Sequence, residues 1–208
     1  MLNIAVLVSG GGTNLQAIID AIDNGKITNG KIALVLSSKE GVFAIERAKK
    51  HNIPYLVIER KEYKDNLEFS KEILKALSTF KIDLVVLAGF LSILSNELIE
   101  KYKNKIINVH PALIPAFCGD GFYGLKVHQK VLEYGAKVTG ATVHFVNNIT
   151  DGGEIILQKA VYINEDDTPE TLQKRVMEQA EWDILPKSID LICNNKIEIE
   201  NRIVKIKG

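Results

Sequence analysis

Asn108, His110 and Asp151 are the residues of this chain whose types could do chemistry together. Asn108-Val109-His110-Pro111 leaves a run of apolar residues, and Asp151-Gly152-Gly153 follows further along the chain. An amide can donate a hydrogen bond to a carbonyl oxygen that is becoming negative. An imidazole carries a proton near neutral pH, and a carboxylate can hold that imidazole charged and oriented. These are the parts needed to move an acyl group between amines. Each motif alone also has a structural explanation, since Asn-x-His can cap a helix and Asp-Gly-Gly is a common turn. The other histidines read as less central: His51 follows Lys49-Lys50 as a solvated helix end, His128 lies on a helix surface, and His144 flanks the site between Val143 and Phe145. No two histidines have metal-ligand spacing, and Cys118 and Cys193 lie far apart, so no metal site is expected. Cys118 has no base adjacent in sequence and is not expected to be a nucleophile.

A second constellation is Ser9-Gly10-Gly11-Gly12-Thr13-Asn14, between an apolar strand and an amphipathic helix. Glycines let backbone approach a ligand, and the first amides of a helix point at an anion, so a phosphate is the natural occupant. The spacing matches neither a triphosphate loop, which needs Lys-Ser or Lys-Thr, nor a dinucleotide loop. The structural alternative is a tight strand-to-helix turn capped by Thr13 or Asn14.

The elements that must position these groups follow from apolar periodicity. Ile4 to Val8, Ile32 to Leu36, Tyr55 to Ile58, Leu84 to Leu87 and Ile106 to Val109 read as strands buried on both faces. Leu15, Ile18, Ile19 and Ile22 fall at helical spacing, as do Leu67, Leu74 and Leu77. The alternation predicts an α/β fold, a single Rossmann-like domain with a twisted, mostly parallel sheet and helices on both faces. Asn108 and Ala88-Gly89-Phe90 end strands and would open into the same crevice as the glycine loop. Residues 112–124 read as a functional loop, with three glycines, a proline, Cys118 and exposed-looking aromatics. A helix is expected from Lys126 to Tyr134, strands at 140–146 and 155–161, and a helix from the Thr168 cap to about Leu185, where Pro186 kinks it or opens the next one. Residues 197–206 should form a hairpin around Asn201. One domain spans 1–208, a phosphate-binding half over 1–110 and the remainder over 111–208.

The bulk properties exclude several classes. With 208 residues, 46% hydrophobic, 25% charged and a net charge of zero, the chain reads as an ordinary globular protein. Broad electrostatic binding to nucleic acid is not expected, nor is a membrane span or a secretory signal. Two lone cysteines suit a reducing cytoplasmic setting.

Several motifs in order resemble the folate-dependent phosphoribosylglycinamide formyltransferases over essentially the whole chain. These are the Ser-Gly-x-Gly-Thr-Asn-Leu-Gln loop at Ser9 to Gln16, Leu-Ala-Gly-Phe at Leu87 to Phe90 and Asn-x-His-Pro at Asn108 to Pro111. Thr-Val-His-Phe at Thr142 to Phe145 and Asp-Gly-Gly at Asp151 to Gly153 complete the set. The resemblance implies a formyltransferase fold and formyl transfer from 10-formyltetrahydrofolate to the amine of glycinamide ribonucleotide, in purine biosynthesis. It implies that Asn108, His110 and Asp151 are catalytic, with Asp151 raising the pKa of His110. Gly12, Thr13, Asn14 and Glu181 would bind the substrate. Arg60, Leu91, Ser92, Ile93, Leu94 and Asn108 would bind the folate co-substrate, with no metal. The implied partners are these two small molecules, without nucleic acid or membrane, in a monomer or weak homodimer. The sequence departs from the family pattern at Ser92, where many members have arginine, and at Trp182, where histidine often follows the glutamate. Rival readings are a related formyltransferase acting on methionyl-tRNA or an amino sugar, a formyltetrahydrofolate hydrolase, or a non-catalytic nucleotide-binding module.

Overall fold

The computed structural model describes residues 1–207, in two compact units that meet in sequence at Ile107 and Asn108. The first unit begins with β1 (Leu2–Val8), whose last five residues are buried, as continuous apolarity demands. The chain then runs through α1 (Thr13–Asp23), β2 (Gly30–Ser37), α2 (Phe43–Lys50), β3 (Tyr55–Val57), α3 (Asn66–Thr79), β4 (Leu84–Leu87) and α4 (Asn96–Lys101). Strand order is β3-β2-β1-β4, and the β1–β2, β1–β4 and β2–β3 pairs are all parallel. Parallel neighbours require crossovers, and α1, α2 and α3 supply them. Ile4, Leu7, Leu34, Leu36, Phe69 and Leu77 are fully buried in this unit. Burying each such side chain contributes on the order of 1.5–3 kcal/mol.

Side-chain caps explain some helix starts. The Asp65 carboxylate accepts from Glu68 N at 2.9 Å and caps α3, and Ser95 caps α4. At α1 neither Thr13 nor Asn14 is the cap. Gly12 occupies that position in the left-handed region, with no side-chain capping bond. In α3, Leu74 and Leu77 face the core, but Leu67 is exposed, since it lies in the first turn before the apolar stripe begins.

β5 (Ile106–His110) carries the chain into the second unit, which contains α5 (Leu125–Tyr134), β6 (Val138–Phe145), β7 (Ile155–Tyr162), α6 (Pro169–Val176), α7 (Trp182–Cys193), β8 (Ile197–Glu200) and β9 (Ile203–Ile206). Here the order is β5-β6-β7, with β6 and β7 antiparallel. Thr168 and Thr171 form a reciprocal capping box at the start of α6, with Pro169 in its first turn.

The terminal hairpin forms as expected, but no new helix opens at Pro186. The irregularity is a π turn at Met177–Glu181, upstream of the proline, and α7 continues through Pro186 to Cys193. In the terminal hairpin both Asn201 (φ 47°) and Arg202 (φ 68°) are left-handed, so the turn is a two-residue one in which both central residues have positive φ.

Candidate active site

The second unit brings Asn108, His110 and Asp151 together, and adds His144. The end of β5 supplies Asn108 and His110. Pro111 restricts the backbone of His110 to an extended conformation, which fixes where its ring projects. His110 Nδ1 lies 3.5 Å from Asp151 Oδ2, and His144 Nε2 lies 3.5 Å from Asp151 Oδ1. One carboxylate therefore faces two imidazoles, each through a different oxygen.

His144 was read from sequence as a flanking residue, yet it belongs to the cluster. The β6–β7 register shifts between Val143 and His144, a bulge of the kind that re-aims a side chain. Its Nδ1 is 2.7 Å from the carbonyl of Phe145, so Nδ1 carries a proton and donates to that oxygen. Asn108 Nδ2 lies 3.3 Å from Nε2 of the same ring.

Asp151 takes its place through an uncommon backbone. Its φ is 52°, a left-handed conformation, and the following glycines allow the turn to close. A Cβ at Gly152 would meet Ile149 Cγ2 at 2.6 Å, and one at Gly153 would collide with the carbonyl oxygen of Phe145. The glycines are needed because the chain packs against itself.

The loop after Pro111 covers this cluster. Phe117 O accepts from His110 Nε2 at 2.8 Å, and Gly119 N donates to Asp151 Oδ2 at 2.9 Å. Phe117 packs its ring against Phe122 and Tyr134, which leaves Phe117 and Phe122 half-buried and only Tyr123 of the loop aromatics exposed. His110 is consequently only 4% exposed. Burial lowers its pKa below the ordinary histidine value, and Asp151 and the Phe117 carbonyl push upward without overcoming it. The expectation of a raised value is therefore corrected in this covered arrangement. Burial also opposes ionisation of Asp151, but His144, His110 and the Gly119 amide together hold its carboxyl below the usual range. Cys118 Sγ donates to Pro115 O at 3.3 Å and burial raises its pKa, which disfavours the thiolate a nucleophile requires.

His128, read as a surface residue, is fully buried on α5, and neither ring nitrogen has a hydrogen-bond partner. Burial chiefly, with His110 nearby, lowers its pKa to about 4. Glu181, also in the second unit, ends the π turn and is 6% exposed. Such turns recur at functional sites because they re-aim one side chain within a helix. Trp182, directly after it, is partly exposed.

In the first unit, Gly12, Thr13 and Asn14 form the junction between β1 and α1. The loop after β4 holds Leu91, Ser92, Ile93 and Leu94, with Leu91 52% and Ile93 68% exposed and Leu94 buried. Ser9 joins the two segments: its Oγ accepts from Leu91 N at 3.0 Å and shares a hydrogen bond with Ser38 Oγ at 2.6 Å. Leu91 and Ile93 thus present apolar side chains at the surface, on backbone fixed by Ser9. Arg60 opens a short 3-10 turn and donates from Nε to Asn66 Oδ1 at 2.7 Å and from Nη1 to Tyr63 O at 2.8 Å. Its guanidinium is thereby tied locally. Among the described residues no group of three His, Cys, Asp or Glu could hold a metal ion, and no helix is long and apolar enough to cross a membrane.

Comparison with known proteins gives consistent matches. The formyl transferase family model matches residues 2–189. Phosphoribosylglycinamide formyltransferase of Haemophilus influenzae is 39% identical over 208 residues, covering 100% of this chain and 95% of that protein. The chloroplastic phosphoribosylglycinamide formyltransferase of Arabidopsis thaliana is 40% identical over 197 residues, covering 94% of this chain. The chain spans 66% of the length of that plant relative and 19% of the trifunctional purine biosynthetic proteins of animals that it matches. Among solved structures, glycinamide ribonucleotide transformylase 1 from Symbiobacterium toebii aligns with a TM-score of 0.94 at 38% identity, covering 100% of this chain and 95% of that one.

Proposed function

The chain belongs to the formyl transferase family, and on that premise we propose that it transfers the formyl group of 10-formyltetrahydrofolate to the primary amine of glycinamide ribonucleotide, a step of purine biosynthesis. The observation that carries this reading is the Asn108, His110, His144 and Asp151 cluster, in which the Asn108 amide lies beside His144 and one carboxylate lies 3.5 Å from each of two imidazoles.

The substrate amine attacks the formyl carbon directly, so no covalent enzyme intermediate is needed. As the carbonyl oxygen becomes negative, the Asn108 amide and a protonated His110 stabilise it. The carbon–nitrogen bond to the folate then breaks. One proton leaves the attacking amine and one arrives on the departing folate nitrogen. Asp151 favours the charged form of His110 and restrains its ring, and His144 orients Asn108. Because Phe117 O occupies His110 Nε2 in the covered arrangement, the 112–124 loop releases that nitrogen before it serves the substrate.

Gly12, Thr13 and Asn14 hold the substrate phosphate, and Glu181 contacts its glycinamide portion. Leu91, Ser92, Ile93 and Leu94 line the folate site through backbone and apolar contacts. Arg60 borders that site, and Asn108 touches the formyl group. Both ligands are small molecules of cytoplasmic metabolism, acted on by a monomer or weak homodimer without metal.

The test is a spectrophotometric assay of tetrahydrofolate release from 10-formyltetrahydrofolate. Release that depends on added glycinamide ribonucleotide is the expected result. Equal release without it would identify a hydrolase and overturn the reading.

A further inference from the structure

We propose that Arg47, on α2, is a positioning residue that sets the anion-binding shape of the 10–12 loop; the proposal rests on the reading of that loop as the substrate's phosphate site. The argument begins with two carbonyls. Ala44 N donates to Gly10 O at 3.3 Å, and Arg47 Nε donates to Gly11 O at 3.0 Å. Both peptides are trans, so in each the N–H points opposite to the carbonyl. Turning the oxygens of Gly10 and Gly11 toward α2 therefore turns the N–H groups of Gly11 and Gly12 away from it.

Two successive amides aimed the same way at a left-handed junction form a concavity suited to an anion. Gly12 has φ 72°, and Gly10 and Gly11 have open space where a side chain would stand. The loop also lies hard against α2, since a Cβ on Gly12 would meet Ala44 Cβ at 2.7 Å. A carbonyl turned to the ligand side would present negative charge to a phosphate, and the Arg47 bond opposes that flip.

Arg47 is itself anchored. Its Nη1 donates to Gln16 Oε1 at 2.9 Å, and its guanidinium lies over the Phe43 ring at 4.9 Å. The fork spans the loop and α1 at once, which a lysine ammonium cannot reproduce. Geometry, not charge alone, is what Arg47 contributes.

The experiment measures steady-state kinetics of Arg47→Lys, Arg47→Met and, as a control on the phosphate reading, Thr13→Asp. The expected result is a KM for glycinamide ribonucleotide raised about tenfold or more in both Arg47 variants. Their kcat and their KM for the folate should stay within about threefold of the parent, and inorganic phosphate should inhibit them less. Rescue by lysine would overturn the clamp in favour of simple charge, and an unchanged KM in both variants would overturn it outright. Equal loss for both ligands would also overturn it, because that marks general disruption of the unit. If Thr13→Asp leaves substrate binding intact, the phosphate reading itself fails, independently of Arg47.

Discussion

His128 should make the protein acid-labile. Its ring is buried with both nitrogens unpaired, and its pKa falls from 6.5 to about 4. A depressed histidine is neutral in the fold but protonated in the unfolded chain throughout the window between those values. Its contribution to stability is complete above the unfolded pKa and is lost as pH falls toward the folded one. At roughly 1.4 kcal/mol per pH unit, the loss is about 3 kcal/mol over the whole window and about 2 kcal/mol by pH 5. The perturbation is His128→Leu, which keeps an apolar side chain of similar size and removes the titrating group. Urea unfolding at a series of pH values from about 7.5 to 5 measures the effect. The parent should lose stability more steeply than the variant, the gap between them growing by about 2 kcal/mol by pH 5. His110, also depressed, acts with the same sign and leaves a residual slope in both proteins. Parallel curves for the two would refute the reasoning, since they would mean that His128 is protonated without cost or already exposed to water.

Three further outcomes follow from the geometry. Asp151→Asn removes the carboxylate that favours charged His110, so kcat should drop on the order of a hundredfold. The alkaline loss of activity should also move to lower pH; near-native turnover at about pH 7.5 would exclude Asp151 as the group that supports charged His110. Gly153→Ala forces a Cβ into the Phe145 carbonyl, which also accepts from His144. It should cost about 1–3 kcal/mol or more in urea unfolding and lower turnover, and a change under about 0.5 kcal/mol would refute the packing argument. Ser9→Ala removes the acceptor of Leu91 N. The KM for the folate should rise several-fold while that for glycinamide ribonucleotide changes little, and equal KM values for the folate in parent and variant would dismiss Ser9 as the support of that loop.

The sequence by itself determined strands such as β1 and β4, because Ile4 to Val8 and Leu84 to Leu87 are apolar on both faces; Tyr55–Val57 forms a strand too, but it is exposed and not buried on both faces as its apolarity suggested. It also singled out Asn108, His110 and Asp151 as the side chains whose types suit acyl transfer, because an amide, an imidazole and a carboxylate sit beside Pro111 and two glycines whose backbone restrictions are local. Tertiary structure decided what those residues touch. His144 lies in the site next to a one-residue shift of the β6–β7 pairing, which cannot be read from alternation. His128 is buried because α5 turns that face inward, which one polar residue on an otherwise mixed helix does not announce. Gly153 serves the close approach of the Phe145 carbonyl across the β6–β7 connection, while Gly152 makes room for Ile149 within the turn itself. The pKa of His110 is likewise a tertiary property. The chain supplies the neighbouring charge, but only the packed 112–124 loop supplies the burial that outweighs it.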